Sequence, residues 1–377
     1  MSSVMASVAA AVHPHQIEIQ DFDVYDLIID ARSAREYSMD HLPRAVSLPA
    51  GPLRPSSRRM EDAAQSGDQI NEPPAPWAGS RAASLHQQLQ LRQLVCHLQP
   101  GALLLVYCSA GGRDSAIWAR CLEDMGFCVD VLAGGWPVYR AWVQRGIEQL
   151  PRCLDLQGIT AAPMGGLDVV VRQLVDEGEQ VLLLDWVGAD GGAPGFAWPS
   201  LRRTRQPRFE TLLLDALRQV DASRTVWVGW CWPPSDALEL PPAMTAALNR
   251  RPTMEIACTV ATREQGWRRL LDSLQAEPSA KLRQDLCDLL WVDLERASQS
   301  AGIAPAVLAP LRDLIASSPH QAALQLATLF AVPPRVPADR TETLKVTLPV
   351  MTSEKAKSVS SALVQLRALS KLQVGQH

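Results

Sequence analysis

Cys108, Ser109, Ala110, Gly111, Gly112, Arg113, Asp114 and Ser115 follow one another directly after the apolar run Leu103–Tyr107. A thiol does chemistry as its thiolate, so what surrounds the sulfur matters more than the sulfur itself. An apolar run that ends in Cys and is followed by a helix puts the thiol at the carboxyl end of a strand, facing the helix N-terminus. There the unpaired N–H groups and the positive end of the helix dipole favour an anion. Gly111 and Gly112 let the backbone curl so that several N–H groups converge. Arg113 adds a fixed positive charge and Ser115 is placed to cap the helix. Such a cradle holds a thiolate, a persulfide or a perselenide alike and does not choose between them. The structural alternative is a buried cysteine before an ordinary Gly-rich turn. A phosphate-wrapping Cys-x5-Arg loop is disfavoured, because the sixth residue after Cys108 is Asp114, which repels phosphate.

The elements that position this loop are legible around it. Asp26–Asp30, Ala45–Leu48, Ala102–Tyr107 and Val129–Leu132 are short apolar runs between polar turns and predict buried strands. Ser84–His97 and Ser115–Met125 carry helical patterns, the second closed by Gly126. Strands alternating with helices predict an α/β fold with a mainly parallel sheet. Residues 51–79 are rich in Pro, Ser, Arg and Gly without a period and predict a loop or insertion. A second α/β pattern holds Val181–Asp185 and Thr225–Val228 as strands with helix Phe209–Val220 between them. Beyond residue 262 the pattern turns helical until the Pro-rich stretch Val332–Pro337, and Ser353–Leu372 predicts one amphipathic helix. The expected organisation is thus residues 17–146, 152–262, a helical extension 263–332 and a tail 333–377.

Composition narrows the classes. With 36 basic and 40 acidic side chains among 377 residues, no global field draws the chain to nucleic acid or anionic lipid, and any polyanion site must be a local patch. No run reaches the ~18 apolar residues of a membrane span. The start Met1–Val12 has no basic n-region, which argues against a secretory signal. The eight cysteines show no Cys-x-x-Cys pair, so neither a disulfide framework nor a metal site is expected, and a reducing cytoplasm is the expected location. All but Cys108 are expected to be small buried hydrophobes.

Two resemblances follow from the motifs. Ile29 to Ala45, with Asp30, Arg32, Glu36, Tyr37, His41, Leu42 and Pro43, resembles the rhodanese signature Asp-x-Arg…Glu-Phe/Tyr…Gly-His-Ile-Pro-Gly-Ala. Cys108–Ser115 is similar to that family's active-site loop, and Gly134, Gly135 and Trp136 to its Gly-Gly ending. The resemblance implies that Asp30, Arg32 and Glu36 are structural and that Cys108 accepts a sulfur atom. Asp40 stands where the family usually has Gly. Over roughly residues 24–245 the chain is also similar to the bacterial tRNA 2-selenouridine synthases, which fuse a rhodanese to a P-loop-like domain. Gly158–Gly165 sits where that group has its phosphate loop. Leu184–Gly188, Gln206–Glu210 and Val226–Pro233 fall where it has later motifs.

The apolar scaffold of those motifs is kept while their polar residues are not. Pro163, Met164 and Gly165 replace a glycine, the phosphate-reaching Lys and the magnesium-holding Thr, so ATP or GTP binding is not expected. The second domain then reads as a degenerate P-loop-like scaffold, or as a binder with another residue set. For the latter, Arg202, Arg203, Arg205 and Arg208 are candidate contacts to tRNA phosphates, against the alternative of a solvated helix-entry segment. Trp198, Trp230 and Trp232 are candidates to stack a base, against the alternative of core packing. Ala110 and Asp114 depart from the synthase loop pattern, and Arg113 falls where ordinary sulfurtransferases have theirs.

The expected activity is transfer of sulfur or selenium carried on Cys108, with Ser109, Ala110, Gly111, Gly112, Arg113 and Ser115 as the anion-cradling loop. The substrate is selenophosphate or a sulfur donor, no bound cofactor is expected, and the synthase resemblance implies the 2-thio group of a tRNA uridine as acceptor. A sulfurtransferase with an inert second domain and a non-catalytic binding or regulatory protein are the alternatives. The oligomeric state is not legible.

Overall fold

The computed structural model describes residues 10–12, 22–49, 80–109, 113–187, 205–230, 238–331 and 343–347. Two compact units, Met1–Arg145 and Gly146–His377, divide the chain. Both are α/β with wholly parallel sheets, as the alternation of patterns predicts.

In the first unit the elements run β1 (Ala10–Val12), β2 (Leu27–Asp30), α1 (Ala34–Met39), β3 (Ala45–Ser47), α2 (Ser80–Val95), β4 (Leu103–Tyr107), α3 (Arg113–Asp124), β5 (Cys128–Leu132) and α4 (Gly135–Cys153), within which the unit ends. The sheet order is β1-β5-β4-β2-β3. From β2 the chain goes first to β3 on one side and then to β4 on the other. The carboxyl ends of β2 and β4 therefore border the point where strand order reverses, the usual place for a site in an open parallel sheet.

Strand periodicity decides which face each β4 side chain meets. Leu104, Val106 and Cys108 share one face and are buried with Leu91 and Val95 of α2 and with Trp118, Ala119 and Leu122 of α3. Tyr107, one residue out of phase, stacks on Trp136 of α4 with ring centroids 6.1 Å apart. Trp118 fixes α3 further by donating its indole N–H to the Leu48 carbonyl at 2.9 Å. The expected insertion 51–79 lies outside the described residues.

The second unit contains β6 (Leu156–Ala161), α5 (Leu167–Asp176), β7 (Gln180–Leu183), the short α6 (Leu184–Val187), α7 (Gln206–Arg218), β8 (Val226–Trp230), α8 (Pro242–Leu248) and β9 (Thr253–Ala257), then helices α9 (Val260–Gln275), α10 (Ala280–Ser300), α11 (Pro305–Ser317) and α12 (Pro319–Leu329), and β10 (Thr343–Thr347). Its sheet order is β10-β9-β6-β8-β7. On β8, Val226, Val228 and Trp230 pack towards α7 and α8, while Trp227 packs with Ile159, Ala161 and the buried face of α5. In the helices, Trp267, Leu270, Leu271 and Leu274 form an i, i+3, i+4, i+7 stripe against α10 and α12. The expected helix Ser353–Leu372 lies outside the described residues, whereas Thr343–Thr347, for which the pattern predicts no strand, pairs parallel with β9. No helix among the described residues is long and apolar enough to cross a membrane.

The cysteines differ from expectation. Among those described, Cys108 alone is fully buried, Cys96, Cys128 and Cys153 are exposed, and Cys121, Cys258 and Cys287 are half-buried. The reason is position. Cys96 directly follows α2, Cys128 is the first residue of β5, and Cys153 is the last of α4, where an element leaves the core.

Candidate active site

Cys108 directly follows β4 with 3% of its surface exposed, and Ser115, fully enclosed, brings its hydroxyl to 3.4 Å from the sulfur. Ser115 lies inside the first turn of α3, which opens at Arg113, so its hydroxyl meets the sulfur from within the helix where a cap ahead of it was expected. Asp114, half-buried, is the acidic residue of that turn. A 12-residue helix starting five residues after the thiol directs its positive end towards this strand end. Ala110, Gly111, Gly112 and the side chain of Arg113 lie outside the described residues.

The Gly-Gly-Trp segment has a specific task. Gly134 and Gly135 take φ of 70° and 62°, and a Cβ on Gly134 would fall 2.2 Å from Val138 Cγ2. That turn delivers the Trp136 N–H to the Cys108 carbonyl at 2.9 Å. The backbone of Cys108 is thereby held from α4 as well as from β4.

Tyr107, the residue before the thiol, joins a buried ionic network. Arg32 grips the Asp30 carboxylate through Nε and Nη2, the shortest contact being 2.6 Å, and its Nη2 also donates to the Asp40 carbonyl at 2.6 Å. Asp30 accepts in addition from the Tyr107 hydroxyl at 2.6 Å and from the Arg32 backbone N–H at 2.9 Å. Tyr107 accepts in turn from the Leu42 N–H at 3.1 Å. Burial first, then the Asp30 charge, pushes the Tyr107 phenol well above its ordinary value, so it stays neutral and donates. Burial opposes the Arg32 charge, but Asp30 outweighs it and the guanidinium is held above its ordinary value. Arg32 also lies over the Trp136 ring, 3.7 Å from its centroid. The Ala31 N–H donates to the Tyr107 carbonyl at 2.9 Å, so the loop after β2 is laced to the end of β4.

Glu36 joins the signature to the loop. One carboxylate oxygen closes a capping box with Ser33, and the other accepts from the Ser109 hydroxyl at 2.9 Å. Partial burial works against its ionisation. The hydrogen bonds from Ser33 and Ser109, with the Arg32 charge, overcome that and hold the carboxyl below the usual range.

Two partners were not foreseen from the sequence. Asp40, the residue where the family usually has Gly, is buried and receives Arg140 at 3.2 Å, joining the end of α1 to α4. Arg44 has a left-handed backbone, φ 60°, and donates from Nη2 to the Phe22 carbonyl at 2.8 Å. A non-glycine residue in a turn that the signature gives to Gly is the available signal for the second. The Asp40–Arg140 pair has none short of knowing that α1 and α4 meet.

Of the residues named from the sequence, Ser115 contacts the Cys108 sulfur, while Asp30 and Arg32 meet its neighbour Tyr107 and Glu36 meets its neighbour Ser109. The candidate tRNA contacts lie in the other unit. Arg205 is the exposed residue ahead of α7, Arg208 is half-buried in its first turn, and Arg202 and Arg203 lie outside the described residues. Trp230 is buried at 2% exposure among Phe209, Leu213 and Met244, which makes it a packing residue and not a base-stacking platform. Trp198 and Trp232 are outside the described residues.

Between β6 and α5, the segment aligned with a phosphate loop is a tight turn in which the Gly165 N–H donates to the Ala162 carbonyl at 2.7 Å. Met164 sits at φ 60° and packs against the helical cluster that includes Trp267. Among the described residues no group of three His, Cys, Asp or Glu side chains is placed to hold a metal ion.

Residues 15–141 match the family model of the rhodanese-like domain. No curated protein matches the chain. Among solved structures, a Bacillus halodurans protein is 17% identical over 36% of this chain and 73% of its own, with a TM-score of 0.23. The N-terminal domain of a Clostridium difficile protein described as ATP/GTP binding is 18% identical over 36% of this chain and 98% of its own, TM-score 0.23. Reduced CoADR-RHD of Bacillus anthracis is 14% identical over 37% of this chain and 18% of its own, TM-score 0.23.

Proposed function

Taking residues 15–141 as a rhodanese-like domain, we propose that this chain is a chalcogen transferase that carries sulfur on Cys108 as a persulfide. The observation that carries the reading is the enclosed Cys108 sulfur at the strand-order reversal, between a helix N-terminus and the Ser115 hydroxyl. With thiosulfate as donor, the Cys108 thiolate attacks the outer sulfur, the donor S–S bond breaks, and its electron pair leaves with sulfite. An acceptor nucleophile then takes the outer sulfur and the pair returns to Cys108. A persulfide donor would load the same thiolate by exchange, Cys108 attacking the donor's terminal sulfur while the donor's own thiolate leaves with the electron pair of the broken S–S bond.

The finer reading, selenation of 2-thiouridine in tRNA, is supported by the motif order over residues 24–245, with the basic segment around Arg205 and Arg208 as the phosphate contact. For the second unit we favour a scaffold without nucleotide chemistry. Pro163 carries no N–H, that of Gly165 is already engaged within the turn, and Met164 occupies the lysine's place.

Incubating the full chain with thiosulfate, a persulfide donor or selenophosphate tests the central claim. A reductant-sensitive mass gain on the Cys108 peptide, absent in Cys108→Ser, is the expected result; no gain with any donor refutes it. Bound tRNA that survives replacement of Arg202, Arg203, Arg205 and Arg208 by Ala would remove that segment from the proposal.

A further inference from the structure

We propose that Ser115 is a catalytic residue of the transfer half of the cycle, donating its hydroxyl proton in a hydrogen bond to the Cys108 sulfur as that sulfur becomes a thiolate leaving group. The inference rests on the persulfide reading above. Its basis is the contact itself. Ser115 Oγ lies 3.4 Å from Cys108 Sγ, the hydroxyl carried by the first turn of α3 and fully enclosed, the sulfur 3% exposed. A donor placed there meets the inner sulfur, the atom that remains on the protein throughout.

The charge on that atom changes through the cycle. In the resting thiolate the negative charge is on Sγ. In the persulfide Sγ is a neutral bridging atom and the charge resides on the terminal sulfur. A hydrogen bond to an ionised acceptor is roughly twice as strong as one to a neutral acceptor, so Ser115 binds the thiolate better than the persulfide. Only an interaction that strengthens towards the transition state accelerates a step. Discharge is such a step. With cyanide as acceptor, its carbon lone pair forms a bond to the terminal sulfur, the Sγ–S bond breaks, thiocyanate departs and the bonding pair stays on Sγ. The developing charge appears on the atom that the Ser115 hydroxyl contacts. Loading runs the other way on Sγ. The hydroxyl raises the thiolate fraction but lowers its nucleophilicity, with a Brønsted dependence of about 0.4–0.5, so about half of the gain, on a logarithmic scale, is offset. The geometry therefore predicts an asymmetric effect, larger on discharge.

Loading and discharge are to be timed separately on the full chain by mass spectrometry of the Cys108 peptide, first with thiosulfate and then, after its removal, with cyanide. Ser115→Ala is expected to slow discharge about ten- to hundredfold, the range for losing a hydrogen bond to a charged group. Loading should change by no more than about the square root of that factor, roughly three- to tenfold, and Ser115→Thr, which keeps the hydroxyl, should recover most of the discharge rate. Equal slowing of both halves, or unchanged discharge, overturns the assignment. If the unsubstituted chain never loads, the persulfide reading fails by itself, and the pH profile of iodoacetamide alkylation at Cys108 then decides the role of Ser115. A midpoint displaced upward in Ser115→Ala supports the hydrogen bond to the thiolate, and an unmoved midpoint refutes it.

Discussion

Replacing Arg32 by Ala should unfasten the first unit while leaving the second untouched. Asp30 is fully buried and the Arg32 side chain is 2% exposed, so the substitution strands a carboxylate away from water. Removing one member of a buried pair costs about 3–5 kcal/mol. Asp30 would keep two donors, the Tyr107 hydroxyl at 2.6 Å and the backbone N–H of residue 32 at 2.9 Å, which argues for the lower end, about 3 kcal/mol. The Asp40 carbonyl also loses its donor, and Trp136 loses the cation over its ring. At 1.4 kcal/mol per decade, that is a loss of roughly two decades of protection in native-state hydrogen exchange. Peptides covering β2 and β4 should show it, and those covering β6 and β8 should not. Arg32→Lys should fall between, because an ammonium keeps the charge but cannot reproduce the fork. If Arg32→Ala lowers protection of β2 and β4 less than about fivefold, the pair is worth no more than a surface salt bridge, and the reasoning from burial fails.

Other substitutions probe the same architecture. Arg44 has a strained left-handed backbone and one strong carbonyl contact, so Arg44→Gly should be the more stable variant and Arg44→Ala the less stable, by about 1 kcal/mol in urea titrations; the reverse order refutes the strain. Glu36 has its carboxyl held below the usual 4.5 in the folded state, so its contribution is complete above that value and is lost as pH falls through the folded one. Glu36→Gln should therefore flatten the acid limb of first-unit unfolding and leave stability near neutrality lower by about the value of a cap, 0.5–1 kcal/mol; an unchanged acid limb counts against it. Gly266→Ala would ordinarily favour a helix, but a Cβ there would meet Met164 Cβ at 2.8 Å, so about 1–3 kcal/mol of destabilisation is expected. Paired with Met164→Gly, the same change should become nearly neutral, and strict additivity in the cycle would show that the turn is not packed on α9.

Much of the first unit was legible because its strands are short apolar runs between turn residues and because Cys108 is followed at once by a helix-opening segment. Leu103–Tyr107 and Cys128–Leu132 appear within a residue of the runs that predict them. In the second unit, Leu156–Ala161 and Thr253–Ala257 were not singled out. Their apolar residues are broken up by Gly158, Thr160 and Glu255, and they become central strands only through neighbours distant in sequence. Thr343–Thr347 alternates weakly and gains its identity from pairing along β9. At the site, residue types announced the thiol but not what surrounds it. Ser115 was expected to cap a helix because Ser near a helix start usually does. Its contact with Cys108 depends on α3 opening two residues earlier, a boundary that periodicity fixes only loosely.

The two units respond differently to sequence change because their sites draw on different parts of the same kind of sheet. In the first, one strand supplies both structure and chemistry through its alternation, with Leu104 and Val106 carrying Cys108 into the face shared with α3, and Tyr107 turned to the Asp30–Arg32 network. Changing the register of β4 by one residue would exchange those roles. In the second, the turn after β6 is held by backbone and by the Met164 side chain, while Ile159 and Ala161 hold the sheet independently of what the turn binds. Polar side chains there can be replaced by packing residues at little cost to the fold. On the proposal above, the first unit carries the thiol chemistry and the second serves as a scaffold, and that separation allows each to change without the other.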